Sequence, residues 1–225
     1  GAGGTNRKVT ASRIKTYAGT ASIGDITDVS MDITNFVDSF LLQPDSDGSA
    51  PTTGTLSSAT GNIGIGKDVF TDLTSGTYNV NIGYESGINY TTADNNVAIG
   101  YKSMYTGVVG DHNVAIGTNA LYTANPGSDY DTYNIAIGSD ALKLCETGTA
   151  NVAIGALSLY ALTTAAGITA VGHGALGALT DGAQNTGVGY TAGAATTTGA
   201  ANTFIGYEAG VANTDGPENT FVGYR

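Results

Sequence analysis

The stretch "NVAIGYKSMYTGVVGDHNVAIG", residues 96–117, contains the same five residues twice, seventeen positions apart. The spacing between successive copies is 17 residues throughout, except for one interval of 21 between Gly117 and Gly138, where the link is four residues longer. A fixed short period of this kind predicts a repeat architecture, in which each copy stacks on the next. The closing glycine occurs in ten copies: Gly66, Gly83, Gly100, Gly117, Gly138, Gly155, Gly172, Gly189, Gly206 and Gly223.

Each repeat can be numbered from 1 to 17, with the Asn of the phrase at position 1 and the glycine at position 5. Position 4 is always β-branched, which favours a pleated strand over a helix. Because side chains alternate along a strand, positions 2 and 4 are predicted to face the core and position 3 to face outward. The predicted core ladder is Ile65, Ile82, Ile99, Ile116, Ile137 and Ile154, continued by Val171, Val188, Ile205 and Val222. The predicted outward row, a flat surface suited to an oligomer interface, contains Ala98, Ala115, Ala136 and Ala153.

Position 1 predicts a second ladder, because stacked Asn amides can hydrogen-bond from one copy to the next. It is occupied by Asn62, Asn79, Asn96, Asn113, Asn134, Asn151, Asn185, Asn202 and Asn219, with Ile168 as the exception. Position 5 predicts either a bend that needs positive φ or a backbone packed too closely for a Cβ, and glycine meets both demands. A second short strand is expected around the Ala/Ser residues at position 8. A helix is excluded, because glycine would weaken each one and the apolar residues do not follow a 3.6-residue period.

The sequence therefore predicts an all-β chain, a parallel β-solenoid or β-roll of ten 17-residue coils. Residues 62–225 form the predicted array, which we expect to continue beyond the given sequence, and residues 1–61 form a connector or cap segment. Within that segment, the apolar residues between Ile33 and Leu41 are compatible with a helix or with a twisted pair of strands. Stacked at about 4.8 Å per coil, the array would be a rod roughly 45–50 Å long.

Charge and composition exclude several classes of function. The chain has 8 basic and 19 acidic residues, a formal charge of −11, which repels phosphate backbones and anionic lipid. Nucleic acid is therefore not an expected partner. The sequence has no run of about 18 apolar residues, so membrane insertion is not expected either. Cys145 is the single cysteine, in a variable link where we expect a surface or semi-buried thiol.

Residues with catalytic or metal-binding chemistry are few. His112 and His173 have no evident nucleophile beside them, so the sequence predicts a protein that is not an enzyme and has neither cofactor nor metal. The acidic residues at 45–47 precede Gly48 as in a calcium loop but lack the later ligands and the closing Glu, which favours an ordinary turn.

Two features remain as possible recognition surfaces. Position 6, after the glycine, is Tyr in five copies, which predicts an aromatic ladder along a coil edge or, alternatively, a stacking surface for sugars. These residues are Tyr84, Tyr101, Tyr190, Tyr207 and Tyr224. The lengthened link, residues 122–133, predicts a surface loop, because insertions in solenoids lie outside the coil. Its candidate recognition residues are Pro126, Tyr130 and Tyr133.

The phrases "NVAIGYKSM", "NVAIGTNAL", "NIAIGSDAL", "NVAIGALSL" and "NTFIGYEAG" resemble the head repeats of trimeric autotransporter adhesins. They resemble still more closely the "NTAIG…AG" arrays of phage tail fibres and related virion proteins, particularly those of marine cyanobacterial phages. The lead-in from residue 26 to residue 67 is also similar to segments of those phage proteins. The strict 17-residue period is longer than the usual adhesin coil.

This resemblance implies a trimeric left-handed β-roll and a structural protein of the virion, a tail fibre or similar appendage. Its implied partners are two further copies of the chain, other virion proteins, and possible attachment to a glycan or protein on the host surface. The alternative is the head of a secreted adhesin at the bacterial cell surface. An ice-binding solenoid is a third hypothesis, disfavoured because threonine does not form a regular T-x-T array on one face.

Overall fold

The computed structural model describes residues 29–33, 36–43, 53–107, 109–124, 127 and 130–225. The chain begins with β1 (Val29–Ile33) and β2 (Phe36–Leu42), which pair antiparallel. Of the two predictions for this segment, a helix or a twisted pair of strands, the pair of strands is therefore correct. β2 then runs parallel to β3 (Ala59–Thr60) and to β4 (Ile63–Ile65), so the hairpin occupies the edge of the first coil.

From β4 onward, one short strand per coil adds to a continuous parallel sheet, which confirms the predicted β-solenoid. Ten such strands delimit nine complete turns of the chain, and every register is in phase, as in Val97↔Val114 and Ile99↔Ile116. The strands after β4 are β5 (Val80–Ile82), β6 (Val97–Ile99), β8 (Val114–Ile116), β10 (Ile135–Ile137), β11 (Val152–Ile154), β12 (Thr169–Val171), β13 (Thr186–Val188), β14 (Thr203–Ile205) and β15 (Thr220–Val222).

The lengthened link does not disturb the stack. β7 (Gly110–Asp111) and β9 (Tyr130–Asp131) pair beside the main sheet, while β8 and β10 pair directly in register across the 21-residue interval. The stack of strands is therefore continuous across the longer repeat.

The second strand expected around position 8 is absent from the coils. Positions 6–10, which we call the turn wall, instead contain consecutive turns in which positions 7 and 9 adopt positive φ. In one coil these residues are Lys102 and Met104, at φ 52° and 49°. Their N–H groups still bond to neighbouring coils, Lys102 to the Tyr84 carbonyl at 2.9 Å and Met104 to the Ala120 carbonyl at 3.0 Å. The coil thus has one strand wall, positions 2–4, and one turn wall.

The alternation in the strand wall is the reverse of the predicted one. Position 3 points into the coil, and Ala98, Ala115, Ala136 and Ala153 are completely buried. Positions 2 and 4 point outward, and Ile116 and Ile154 remain 36% and 38% exposed. The predicted Ala interface and the predicted Ile core ladder, Ile65, Ile82, Ile99, Ile116, Ile137 and Ile154, were therefore both wrong.

The physical reason is the small volume of the coil. The turn wall contributes large side chains at position 9, which fill the interior and leave room only for small residues opposite them. These side chains, all completely buried, are Phe70, Met104, Leu121, Leu142, Leu159 and Leu176. Cys145 belongs to the same interior, 1% exposed, so the expectation of a surface or semi-buried thiol was also wrong. Burial raises the pKa of the Cys145 thiol to about 12.

Towards the C-terminal end of the array, the two walls exchange their large residues. Phe204 replaces Ala at position 3, and glycine stands at position 9 in the adjoining turns, at Gly193 and Gly210. A Cβ added to Gly193 would lie 2.6 Å from the Phe204 ring, and one added to Gly210 would lie 2.2 Å from it. The interior of the coil thus remains filled, but the large side chain now comes from the strand wall instead of the turn wall.

The Asn ladder at position 1 is present and buried. The Asn96 backbone N–H donates to Asn79 Oδ1 at 3.0 Å, and the Asn96 side-chain amide donates to the Gly110 carbonyl at 2.9 Å. The Asn96 amide thus joins the two neighbouring coils and one corner of its own coil. At Ile168 the chain still donates its N–H to Asn151 Oδ1 at 3.1 Å but offers no amide to the next coil.

Candidate assembly interface

The outward surface of the strand wall is an apolar surface that runs along the rod. Positions 2 and 4 form two parallel rows of β-branched side chains, without a charged residue from β4 to β15. We call this surface the apolar strip. Because the registers are in phase, each side chain lies beside its equivalents in the coils before and after.

The composition of the apolar strip changes along the rod. From β4 to β11 both rows are Val or Ile, whereas from β12 to β15 position 2 is Thr169, Thr186, Thr203 and Thr220. Position 4 remains Val or Ile in these last four strands. The threonines therefore form a single row beside an aliphatic row, which is not the T-x-T array that an ice-binding face was expected to require.

The tyrosines at position 6 border the apolar strip beyond the glycine row, and they form the predicted aromatic ladder. Tyr84 and Tyr101 stack with ring centroids 5.5 Å apart and an interplanar angle of 11°. His173, Tyr190, Tyr207 and Tyr224 form a second stack, at 5.4, 5.3 and 5.2 Å. Tyr190 and Tyr207 are covered on both ring faces by their neighbours. The alternative of a sugar-stacking surface is therefore not supported at these two residues, since only their ring edges are free.

The charged pairs on position 7 lie on the turn wall, away from the apolar strip. Lys102 and Glu85 pair across adjacent coils at 3.2 Å, and Arg225 and Glu208 do the same at 2.8 Å. Being partly solvated, such pairs add little stability. These pairs place charge on the turn wall, whereas positions 2 and 4 carry none from β4 to β15.

The glycine row at position 5 fixes how closely successive coils approach. Gly117 has φ 134°, and a Cβ there would lie 2.5 Å from the Gly138 carbonyl oxygen. The same close contact recurs along the row, for example from Gly100 to Gly117 at 2.6 Å. Glycine is thus required both for its φ and for the space, as the sequence predicted.

The candidate recognition residues of the long link are only partly placed. Pro126 and the side chain of Tyr130 lie outside the described residues, as does the acidic turn at 45–47. Tyr133 is 54% exposed, and its hydroxyl donates to Asp131 Oδ2 at 2.6 Å. Asp131 Oδ1 lies 2.8 Å from His112 Nδ1, so His112 ties the link to the preceding coil. The Tyr133 hydroxyl and the His112 ring keep the pKa of the Asp131 carboxyl below its usual range, against the effect of desolvation.

Within the described part of the chain, no cluster of three or more His, Cys, Asp or Glu residues could hold a metal ion. The same residues include no helix long and apolar enough to cross a membrane. His173 takes part in the ring stack described above and lies far along the chain from His112, so the structure does not bring the two histidines into one site.

Comparisons with known proteins found no matching family model, no matching curated protein and no matching solved structure.

Proposed function

We propose that this chain is a segment of a non-enzymatic fibre protein of a phage virion, a tail fibre or similar appendage. In this proposal the solenoid is a stiff spacer that associates laterally as a homotrimer through the apolar strip. The observation that carries the proposal is the long, neutral, exposed strip on a chain whose opposite wall is charged. The resemblance of the repeats to virion arrays supports the phage assignment.

The dimensions of the strip suit association with further copies. Nine steps of about 4.8 Å give a length of about 43 Å, and the five residues from position 2 to position 6, which include the glycine row and the tyrosines that border the strip, span about 13 Å. The surface is then on the order of 600 Å², close to the roughly 800 Å² per partner of a standard interface. Exposed apolar surfaces of this size mark interaction sites in soluble proteins. A second copy presents an equally periodic surface, so the two match coil for coil.

The role as a spacer follows from the continuity of the hydrogen bonding. Strand wall, turn wall and Asn ladder all bond from coil to coil, so bending the rod strains three sets of bonds together. Such a rod offers few loops to proteases. Host-surface recognition and contacts with other virion proteins belong to the same proposal. The alternative, an adhesin head at the bacterial cell surface, would use the same strip in the same way.

The decisive experiment is the native mass of residues 1–225, measured by light scattering after size exclusion. We expect a mass near three times 22.5 kDa for the wild type. The double variant Ile116→Asp and Ile154→Asp should be monomeric, because association would bury two unpaired carboxylates per chain. The matched control, Thr164→Asp on an exposed turn, should remain trimeric. A monomeric wild type, or a trimeric double variant, would refute the proposed association.

A further inference from the structure

One notch interrupts the outer surface of the turn wall. In the coil of residues 168–184, positions 7 and 10 are both glycine, at Gly174 and Gly177. The result is a cavity of about 270 Å³, walled on one side by the preceding coil and on the other by the following coil. Its lining consists of Leu157, Tyr160, Gly174, Gly177, Thr191 and Ala194.

The repeat does not require glycine at these two positions, although a Cβ at Gly177 would lie 3.2 Å from the Gly174 and Leu157 carbonyl oxygens. Gly174 has φ 62°, but Leu157 and Thr191 adopt the same conformation, φ 59° and 49°, at the same position of the adjoining coils. Gly177 is equivalent to Tyr160 and Ala194, so the backbone at position 10 accepts both small and large side chains. The notch is therefore a property of this one coil and not of the repeat.

The notch has the height of one ring. At position 10, Tyr105 and Tyr122 stack with centroids 5.0 Å apart, one coil step. The Ala161 N–H donates to the Gly177 carbonyl at 3.1 Å, so Gly177 stands one step from Tyr160, where a further ring would continue such a stack. On its other side, the Tyr160 ring is approached by Lys143 Nζ at 5.6 Å from the centroid. The side of the ring towards Gly177 lines the open cavity.

The chemistry of the lining selects a neutral, ring-shaped ligand with an apolar face. Leu157, 39% exposed, and Ala194 provide aliphatic contact, and the hydroxyls of Tyr160 and Thr191 are the polar side-chain groups of the lining. The chain carries a net charge of −11, which disfavours anionic ligands. A neutral pyranose meets these requirements, because its C–H-bearing face packs on an aromatic ring while its hydroxyls remain at the solvent-exposed mouth.

We propose that the Tyr160 notch is a binding subsite for a neutral pyranose of a surface glycan, with a 6-deoxyhexose as the best-fitting class. The sugar stacks on the open face of Tyr160, places its methyl group against Leu157 and Ala194, and bonds to the Thr191 hydroxyl. This inference rests on the proposed function, since it assigns the host-surface contact of the fibre to one coil.

The test is titration of the full chain with methyl α-L-rhamnopyranoside, followed by chemical-shift changes in NMR spectra. We expect millimolar binding, with shifts centred on residues 157–194. Gly177→Tyr should weaken binding at least tenfold, because the new ring fills the notch as Tyr122 fills the equivalent space. Val211→Tyr, at the same position two coils further on and outside the notch, is the matched control and should leave binding unchanged.

Two further probes make the outcome decisive. p-Cresol imitates a tyrosine side chain, and binding of p-cresol without binding of the sugar would overturn the proposal in favour of an aromatic side chain of a protein partner. Sugar binding that survives Gly177→Tyr would overturn it as well. The native mass of Gly177→Tyr should equal that of the wild type, so a failure of the subsite is separate from a failure of the proposed assembly.

Discussion

The strand wall and the turn wall of each coil bury their side chains in opposite ways. The strand wall places small residues inside and β-branched residues outside, whereas the turn wall places leucines inside and polar or charged residues outside. The strand wall therefore supplies a continuous outer surface, and the turn wall supplies the large side chains of the core. The larger apolar residues of a strand therefore need not mark its buried face when the opposite wall fills the interior.

The largest expected effect comes from the glycine row, where the strand wall ends. Gly117→Ala should lower the free energy of unfolding by about 4 kcal/mol or prevent folding, because its Cβ would lie 2.5 Å from the Gly138 carbonyl oxygen. Gly167→Ala is the control, since Gly167 also has positive φ but nothing closer than 4.0 Å. It should cost about 1 kcal/mol. Equal losses in urea unfolding would show that conformation alone, and not coil spacing, demands glycine.

The two faces of one strand can be compared directly. Ala115→Trp should cost about 3 kcal/mol or more, because the ring cannot fit a filled coil. Ile116→Asp should cost at most about 1 kcal/mol in the dissociated chain, since its side chain already faces solvent. The measurement is denaturant unfolding at a dilution where both variants are monomeric. A larger loss for Ile116→Asp would restore the outward assignment of the Ala row.

Phe204 on the strand wall occupies the space that a large side chain on the turn wall fills in earlier coils. Substitutions at Phe204 and Gly193 should therefore be strongly coupled in their effect on stability. Phe204→Ala should cost about 3 kcal/mol, and Gly193→Leu alone should be destabilising because the two side chains would overlap. Together they restore the arrangement of the earlier coils. A double-mutant cycle should therefore give a favourable coupling of about 2 kcal/mol. Additive losses would mean that the two walls do not share one volume.

The buried thiol of Cys145 predicts that stability falls at alkaline pH. Because burial raises the pKa of Cys145 from 9.0 to about 12, the unfolded chain loses this proton first as the pH rises. Stability should be complete below pH 9 and decline between pH 9 and pH 12, by about 1 kcal/mol at pH 10. Cys145→Ala should remove this part of the decline in denaturant titrations at several pH values. An identical decline in both proteins would assign it to other groups.

The smallest expected effect tests the positive-φ positions that join the two walls. Ala150 is exposed and has φ 55°, at the same position as Gly167 in the next coil. Ala150→Gly should raise stability by a few tenths to about 1 kcal/mol, because glycine adopts this conformation without steric cost. Thermal unfolding measures the change. A loss of stability would mean that the entropy of the unfolded chain outweighs the relief of strain.

Much of the fold can be predicted from the sequence. The fixed period indicates stacked coils, the glycine row indicates a bend with close backbone contact, and the Asn row indicates hydrogen bonds between coils. The sequence did not show which face of the strand is buried. Alternating Ala and Ile residues define two faces, but the pattern does not say which of them points into the coil. The turn wall was missed because Met104, Leu121 and Leu142 adopt positive φ, a conformation that such residues seldom take. The sequence does not show that the Phe204 ring fills the space beside Gly193. That relation becomes apparent only when positions 3 and 9 are known to face each other across the coil.

The direct pairing of β8 with β10 across the longer repeat has a consequence for how such rods vary. Because four additional residues leave the stack undisturbed, the length of the rod depends on the number of repeats and not on the number of residues. Each repeat gained or lost changes the length by one step of about 4.8 Å. The number of repeats therefore sets the distance that the rod spans, and the four additional residues of the longer link add nothing to it.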